Sequence, residues 1–136
     1  MSPKKNILLI AHSNQFQGGA NRSLLSIAKG LSQKYKVVIL VPDEPGELVD
    51  ILQANQICSI KAKYHRLVTK KKKGFFGLLR RINLYRKFFL EPVFVNQIVK
   101  KISQNKFDLV YTNSRTIIVG GFIAKKIGVP HIWHSR

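Results

Sequence analysis

An α/β fold built on a doubly wound parallel sheet is predicted by three features of the sequence. Short continuous apolar runs, such as Lys4–His12 (KKNILLIAH) and Lys36–Val41 (KVVILV), have the length and polar ends of strands buried on both faces. Segments with apolar residues at helical spacing lie between those runs. The connections are short, with no internal repeat and no low-complexity stretch except Lys70–Lys73.

The elements follow in order. Lys4–His12 is the first strand, and the turn-rich loop Gln15–Ala20 (QFQGGA) follows it. Asn21–Lys34 reads as a helix because Leu24, Leu25, Ile27, Ala28 and Leu31 recur on one face. Lys36–Val41 is the second strand, closed by Pro42. Gly46–Asn55 is a helix with Leu48, Val49, Ile51 and Leu52 inward, and Ile57–Ile60 is a short third strand. Phe75–Leu90 and Val93–Gln104 are expected as two helices parted by Pro92, whose missing N–H and bulky ring suit a helix interior poorly. Phe107–Thr112 (FDLVYT) is the fourth strand, Thr116–Ile127 a helix stopped by Gly128, and Pro130–His134 (PHIWH) the fifth strand. With right-handed crossovers, the Rossmann-like doubly wound order 3-2-1-4-5 is the natural expectation.

Composition narrows the class. The 136 residues suit one domain, and 45% hydrophobic against 22% charged is a globular ratio rather than a disordered one. A lone cysteine, Cys58, rules out an intrachain disulfide and a cysteine-based zinc knuckle, and it fits a reducing cytoplasm. The apolar stretch Ile7–Ala11 is too short for a signal peptide, and no run reaches the roughly 18 apolar residues that span a bilayer.

Charge is the outlying number. Lys and Arg total 24 against 6 Asp and Glu, a formal net charge of +18. Lys61, Lys63, Arg66, Lys70, Lys71, Lys72, Lys73, Arg80, Arg81, Arg86 and Lys87 crowd one segment, with no acid between Asp50 and Glu91. Such a block creates a strong local positive potential, suited to nucleic acid, anionic lipid or a phosphorylated substrate, or else it is a solvated surface.

In doubly wound sheets a ligand lies beyond the carboxyl ends of the strands, at the switch between the first and fourth. That rule selects three loops: His12–Asn21, Thr112–Thr116 and His134–Arg136. Gly18-Gly19 before a helix allows close backbone approach to a phosphate, with Arg22 as a forked donor; the pair is equally ordinary turn chemistry. The loop matches neither GxGxxG nor GxxxxGK[ST], which argues against a nicotinamide enzyme or an NTPase. Asn113, Ser114 and Arg115 suit hydrogen bonding to a polyol and supply no nucleophile–base pair; alternatively Asn113 or Ser114 caps the next helix. His131 and His134 point to opposite strand faces and do not chelate one metal, so His134, nearer the carboxyl end, is the site candidate and His131 structural. His12 ends the first strand and can face the same crevice, whereas His65 is expected in solvent. Asp43, Glu44, Glu47 and Asp50 read as structural carboxylates at a helix start.

Gly18-Gly19-Ala20-Asn21-Arg22-Ser23-Leu24-Leu25 after a strand, with a helix leading to KVVILVP, resembles the opening of a group 1 (family 4) glycosyltransferase. The late segment FDLVYTNS…GGFIAKKIGVPHIWHSR is similar to later N-terminal-domain strands of that family. The resemblance implies the N-terminal, acceptor-side half of a GT-B enzyme, with the nucleotide sugar as substrate and no other cofactor, and with retaining, metal-independent transfer. It implies that Gly18 and Gly19 approach the donor's phosphates, and Asn21, Arg22, Asn113, Ser114, Arg115 and His134 are the candidate residues of the acceptor and sugar crevice. It puts Asn113 where many relatives carry a histidine, matches His134 to the histidine ending the next strand, and sets Asn21 in place of a commoner glutamate. The donor half, with its paired glutamates, is not in this sequence. A crevice with one wall does not position donor against acceptor, so a fragment or half of a split enzyme, inactive alone, is expected.

The basic segment, about residues 61–90, is expected as an amphipathic insertion. Phe75, Leu78, Leu79, Ile82, Tyr85 and Phe89 form one helical face, expected to pack on the domain. The opposite arc carries Phe76, Arg80, Arg81, Leu84, Lys87 and Phe88, a composition fit for a membrane interface, and Lys70–Lys73 add attraction to an anionic leaflet. The expectation is a cytoplasmic protein, peripheral at the inner face of the membrane, acting on a lipid-linked or cell-envelope acceptor. A fully buried helix with snorkelling cations, a nucleic-acid module stacking bases on Phe75, Phe76 or Tyr85, and a non-catalytic subunit are the competing readings.

Overall fold

A computed structural model describes residues 2–68 and 73–135. Strands Asn6–Ile10 (β1), Lys36–Pro42 (β2), Cys58–Ala62 (β3), Leu109–Thr112 (β4) and His131–Trp133 (β5) alternate with helices Gly19–Ser32 (α1), Leu48–Ala54 (α2), Phe75–Ile102 (α3) and Val119–Ile127 (α4). All pairings are parallel and the order is β3-β2-β1-β4-β5, as the alternation of elements predicts. β1 is central, with Leu8 opposite Val38 on one side and Val110 on the other.

Both faces of the sheet are covered, which explains the unbroken apolar runs. Leu8, Ile10, Val38 and Leu40 pack with Val95, Ile98 and Ile102 of α3 and Ile123 of α4. Their neighbours Ile7, Leu9, Val37 and Ile39 pack on the other face with Leu24 and Ala28 of α1 and Leu48 and Leu52 of α2. Burying each such side chain contributes about 1.5–3 kcal/mol. Gly128 closes α4 in a left-handed conformation (φ 73°), and the Val129 amide donates to the Ala124 carbonyl.

The buried Tyr64, just beyond β3, reaches across the sheet end. Its hydroxyl lies 2.8 Å from the Ala11 carbonyl oxygen and 3.1 Å from that of Leu40. Leu40 already accepts the Ala11 amide, so Ala11 depends more on the tyrosine. Tyr64→Phe is expected to cost about 1–2 kcal/mol, read from the urea midpoint, because a buried acceptor loses its partner.

The structure corrects one expected break. α3 is a single 28-residue helix with Pro92 inside it. Glu91, Val95, Ile98 and Ile102 recur on its buried stripe, and that packing carries the helix across the proline. Pro92 itself is exposed, where water can take the Phe88 carbonyl that lacks an i→i+4 partner.

Candidate functional site

The carboxyl ends of β1, β4 and β5 bring the sequence-predicted loops together. The Asn113 side-chain amide donates to the Ala20 carbonyl at 2.6 Å, joining the loop after β4 to the first turn of α1. The Trp133 indole N–H donates to the Ser114 carbonyl at 2.8 Å, and the His134 amide donates to the Thr112 carbonyl at 2.8 Å. The first loop is braced from below. Glu44 Oε1 accepts the Asn14 amide at 2.9 Å, and Glu47 Oε1 accepts the Phe16 amide at 3.3 Å. The acidic group is thus structural through ties to the loop more than through a helix dipole.

Gly18 precedes α1 with φ 100°, a conformation that favours glycine, and no side chain caps the helix start. A Cβ on Gly18 or Gly19 would meet open space. The α1 N-terminus is therefore accessible to an anion. Arg22 is exposed there, its guanidinium carbon 6.0 Å from the Phe16 ring centroid, and Arg115 is exposed on the turn after β4.

Asn21 and Asn113 are buried. Asn21 Nδ2 lies within donating distance of the Ser13 carbonyl (2.8 Å), Ser13 Oγ (3.1 Å) and the Gln15 carbonyl (2.6 Å), so this side chain organises the glycine loop. The Oδ1 atoms of both asparagines are buried without a partner among the described residues. Capping of α4 by Asn113 or Ser114 does not occur: the cap residue is Ile118.

His12 Nε2 is 3.3 Å from Arg66 Nη1, and its Nδ1 is 3.0 Å from Ser114 Oγ. Arginine can only donate, so Nε2 accepts, Nδ1 carries the proton, and His12 donates to Ser114. Ser114 Oγ also accepts the Thr116 amide at 3.3 Å and lies 3.0 Å from Thr116 Oγ1. Burial and then the Arg66 charge push the His12 pKa below its ordinary 6.5, against an opposing pull from Glu44. Ser114 thus accepts a hydrogen bond from its histidine, the reverse of an activated nucleophile. Arg66 belongs to the basic block, and only the folded chain shows that it reaches His12 at the end of β1.

A family model of glycosyltransferase family 4 matches residues 17–135. The chain belongs to this family. Among solved structures, a glycosyltransferase from Rickettsia africae ESF-5 aligns at 21% identity and a TM-score of 0.59, over 97% of this chain and 30% of that one. MurG of Acinetobacter baumannii aligns at 18% identity and a TM-score of 0.65, over 96% of this chain and 35% of that one. The C-terminal domain of a hydrogenase from Pyrococcus furiosus also aligns, at 18% and 0.56, over 98% and 93%. These likenesses show the fold alone, and this family 4 domain spans about a third of the two enzymes. No match is found among curated protein sequences.

The basic helix of this family 4 domain differs from its sequence-based picture. Lys70, Lys71, Lys72 and Arg136 lie outside the described residues. Phe75, Leu78, Leu79, Ile82, Tyr85 and Phe89, expected to pack inward, are exposed. Leu84 and Lys87, expected outward, are half-buried, and the Phe88 ring meets that of Phe122 at 6.1 Å between centroids. Continuity through Pro92 is the reason: the stripe of Glu91, Val95, Ile98 and Ile102 fixes the rotation of the whole helix. Phe76, Arg80 and Arg81 are exposed as expected. No helix of the described residues is long and apolar enough to cross a membrane.

His65 is also not free in solvent. Its ring Nδ1 is 3.3 Å from Glu91 Oε2, its amide is 3.4 Å from Oε1, and its ring stands edge-on to Phe94. Burial pushes the Glu91 carboxyl up from 4.5 to about 7, opposed by the His65 amide. Burial, then Lys87 and Arg86, lower the His65 pKa. An acid with a raised folded pKa contributes stability fully below its unfolded pKa and loses it as pH rises through the folded one. The His65 contribution runs oppositely, present above about 6.5 and lost as pH falls. Glu91→Gln is therefore expected to gain about 3 kcal/mol relative to wild type as pH rises from 4.5 to 8. Urea unfolding across that range measures the difference.

Proposed function

We propose that this chain is the acceptor-side half of a glycosyltransferase that moves a sugar from a nucleotide-sugar donor to a lipid-linked or cell-envelope glycan. The observation that carries this reading is the Asn113–Ala20 hydrogen bond, which sets the polar loop after β4 against the glycine start of α1 in a family 4 domain. In this reading Gly18, Gly19 and Arg22 meet the donor's phosphates. Asn113, Ser114, Arg115 and His134 line the sugar crevice, and Asn21 holds the glycine loop in shape. In this reading transfer is retaining and metal-independent, and a second, donor-binding domain supplies the other wall. The test combines the chain with a family 4 donor-binding domain, labelled nucleotide sugars and a membrane-lipid extract. Label should enter lipid only when both proteins are present. Transfer by the chain alone, or none with any donor when both are present, overturns the proposal.

The same proposal places α3 on an anionic membrane from the cytoplasmic side. Its support is an exposed apolar surface laced with cations: Phe75 and Phe76 are each 70% exposed and Phe89 74%, among exposed Lys73, Arg80, Arg81 and Arg86. Leaving such a surface in water is costly, and headgroup phosphates complement its charge. Flotation should recover the chain with anionic vesicles and not with neutral ones; equal recovery removes the electrostatic part.

A further inference from the structure

Tyr111, on β4, was not singled out by sequence, yet it holds the crevice histidine. Its hydroxyl is 2.6 Å from His134 Nδ1, and the two rings meet edge-on at 6.1 Å and 75°. The His134 amide is tied separately to the Thr112 carbonyl. The backbone amide and Nδ1 are both engaged, so Nε2, on the far edge of the imidazole and without a hydrogen bond among the described residues, is the ring nitrogen left for a ligand.

We propose that Tyr111 is a positioning residue that fixes His134 in the Nε2–H tautomer, making it a hydrogen-bond donor to a ligand oxygen. A phenolic O–H is a stronger hydrogen-bond donor than a neutral imidazole N–H, and an unprotonated imidazole nitrogen is a stronger acceptor than a phenol oxygen, so Tyr111 donates and Nδ1 accepts. The second imidazole proton then sits on Nε2, because the hydrogen bond at one ring nitrogen sets the state of the other. His134 thereby becomes the counterpart of His12, which Arg66 holds as the Nδ1–H form. One histidine is turned inward to donate to Ser114, and the other presents its N–H outward. A donor at Nε2 takes an oxygen with free lone pairs, phosphoryl or sugar hydroxyl, and does not act as a base there. Thr112 Oγ1, 2.8 Å from His131 Nε2, gives the neighbouring histidine a partner of its own.

The test is nitrogen-15 NMR of the imidazoles in the labelled chain at about pH 8, where imidazoles are ordinarily neutral. The His134 signals are assigned by their loss in His134→Gln. The wild type should show Nε2 protonated and Nδ1 unprotonated. Tyr111→Phe should mix the two tautomers while the backbone amide spectrum stays folded. Nδ1 protonated in the wild type overturns the proposal without any variant, and an unchanged tautomer in Tyr111→Phe overturns the role of the tyrosine. The ligand part rests on the proposed function, and the tautomer does not, so the two fail separately. Inorganic pyrophosphate and glucose are added in separate titrations. A shift of Nε2 with the first assigns a phosphoryl oxygen, and with the second a hydroxyl; a shift with neither overturns the ligand part.

Discussion

Gly120→Ala is expected to lower the stability of this domain by about 3 kcal/mol, a large share of the roughly 5–15 kcal/mol that holds a domain folded. Gly120 is buried in the first turn of α4, where the helix lies directly on the sheet. A Cβ there would overlap Thr112 Oγ1, and it would stand 3.1 Å from His131 Nε2 and 3.3 Å from Ile10 Cγ1. Thr112 is fully buried and hydrogen-bonded to His131, so the neighbour has nowhere to go. The helix must lift, and with it the Ser114 and His134 ends of the crevice. Gly121 is the control, because its Cβ would meet only His131, at 3.6 Å, an ordinary contact. Gly121→Ala should be neutral or stabilising by up to about 1 kcal/mol, since alanine is the better helix former. Urea midpoints of the two variants decide the matter; equal midpoints would show that the helix does not depend on close approach at Gly120.

The second large effect concerns the membrane. Each basic side chain near an anionic leaflet contributes about 1 kcal/mol, so Lys73→Glu with Arg81→Glu removes two attractions and adds two repulsions. The expected loss is about 3–4 kcal/mol, or roughly 10²–10³-fold in affinity for anionic vesicles. Both residues are exposed, so the fold should be unaffected. Phe75→Ser with Phe76→Ser separates the two contributions. It should weaken binding through lost apolar burial, with little change in salt dependence, whereas the charge variant should flatten the salt dependence. If the charge variant binds anionic vesicles as well as the wild type does, α3 is not the docking surface. A salt-sensitive complex with single-stranded nucleic acid in place of vesicles would favour the nucleic-acid reading of the same helix.

The meeting of the loops beyond the strand ends was partly legible before folding. Gly18, Gly19, Arg22, Asn113, Ser114, Arg115 and His134 sit on loops that the strand order selects, and those loops do meet. Tyr111 and Arg66 gave no signal because each reads locally as something else. Tyr111 is one more residue in a strand, and Arg66 one more cation in a basic run. Their meaning comes from a partner 23 or 54 residues away. His65 was misread for the same reason, its carboxylate partner lying on α3.

The sequence by itself determined the alternation of elements and the parallel sheet, and the expected β3-β2-β1-β4-β5 order is the one the structure has. The alternation and the parallel pairing follow from apolar period and short crossovers, which are properties of neighbouring residues. Only the tertiary structure decided which side of α3 faces water. A helix period defines an apolar stripe but not where the domain lies, and the packing of Glu91, Val95, Ile98 and Ile102 through Pro92 set that rotation for every residue before it. The tertiary structure likewise decided the roles of the histidines, because a proton on an imidazole is placed by whichever distant side chain meets its other nitrogen.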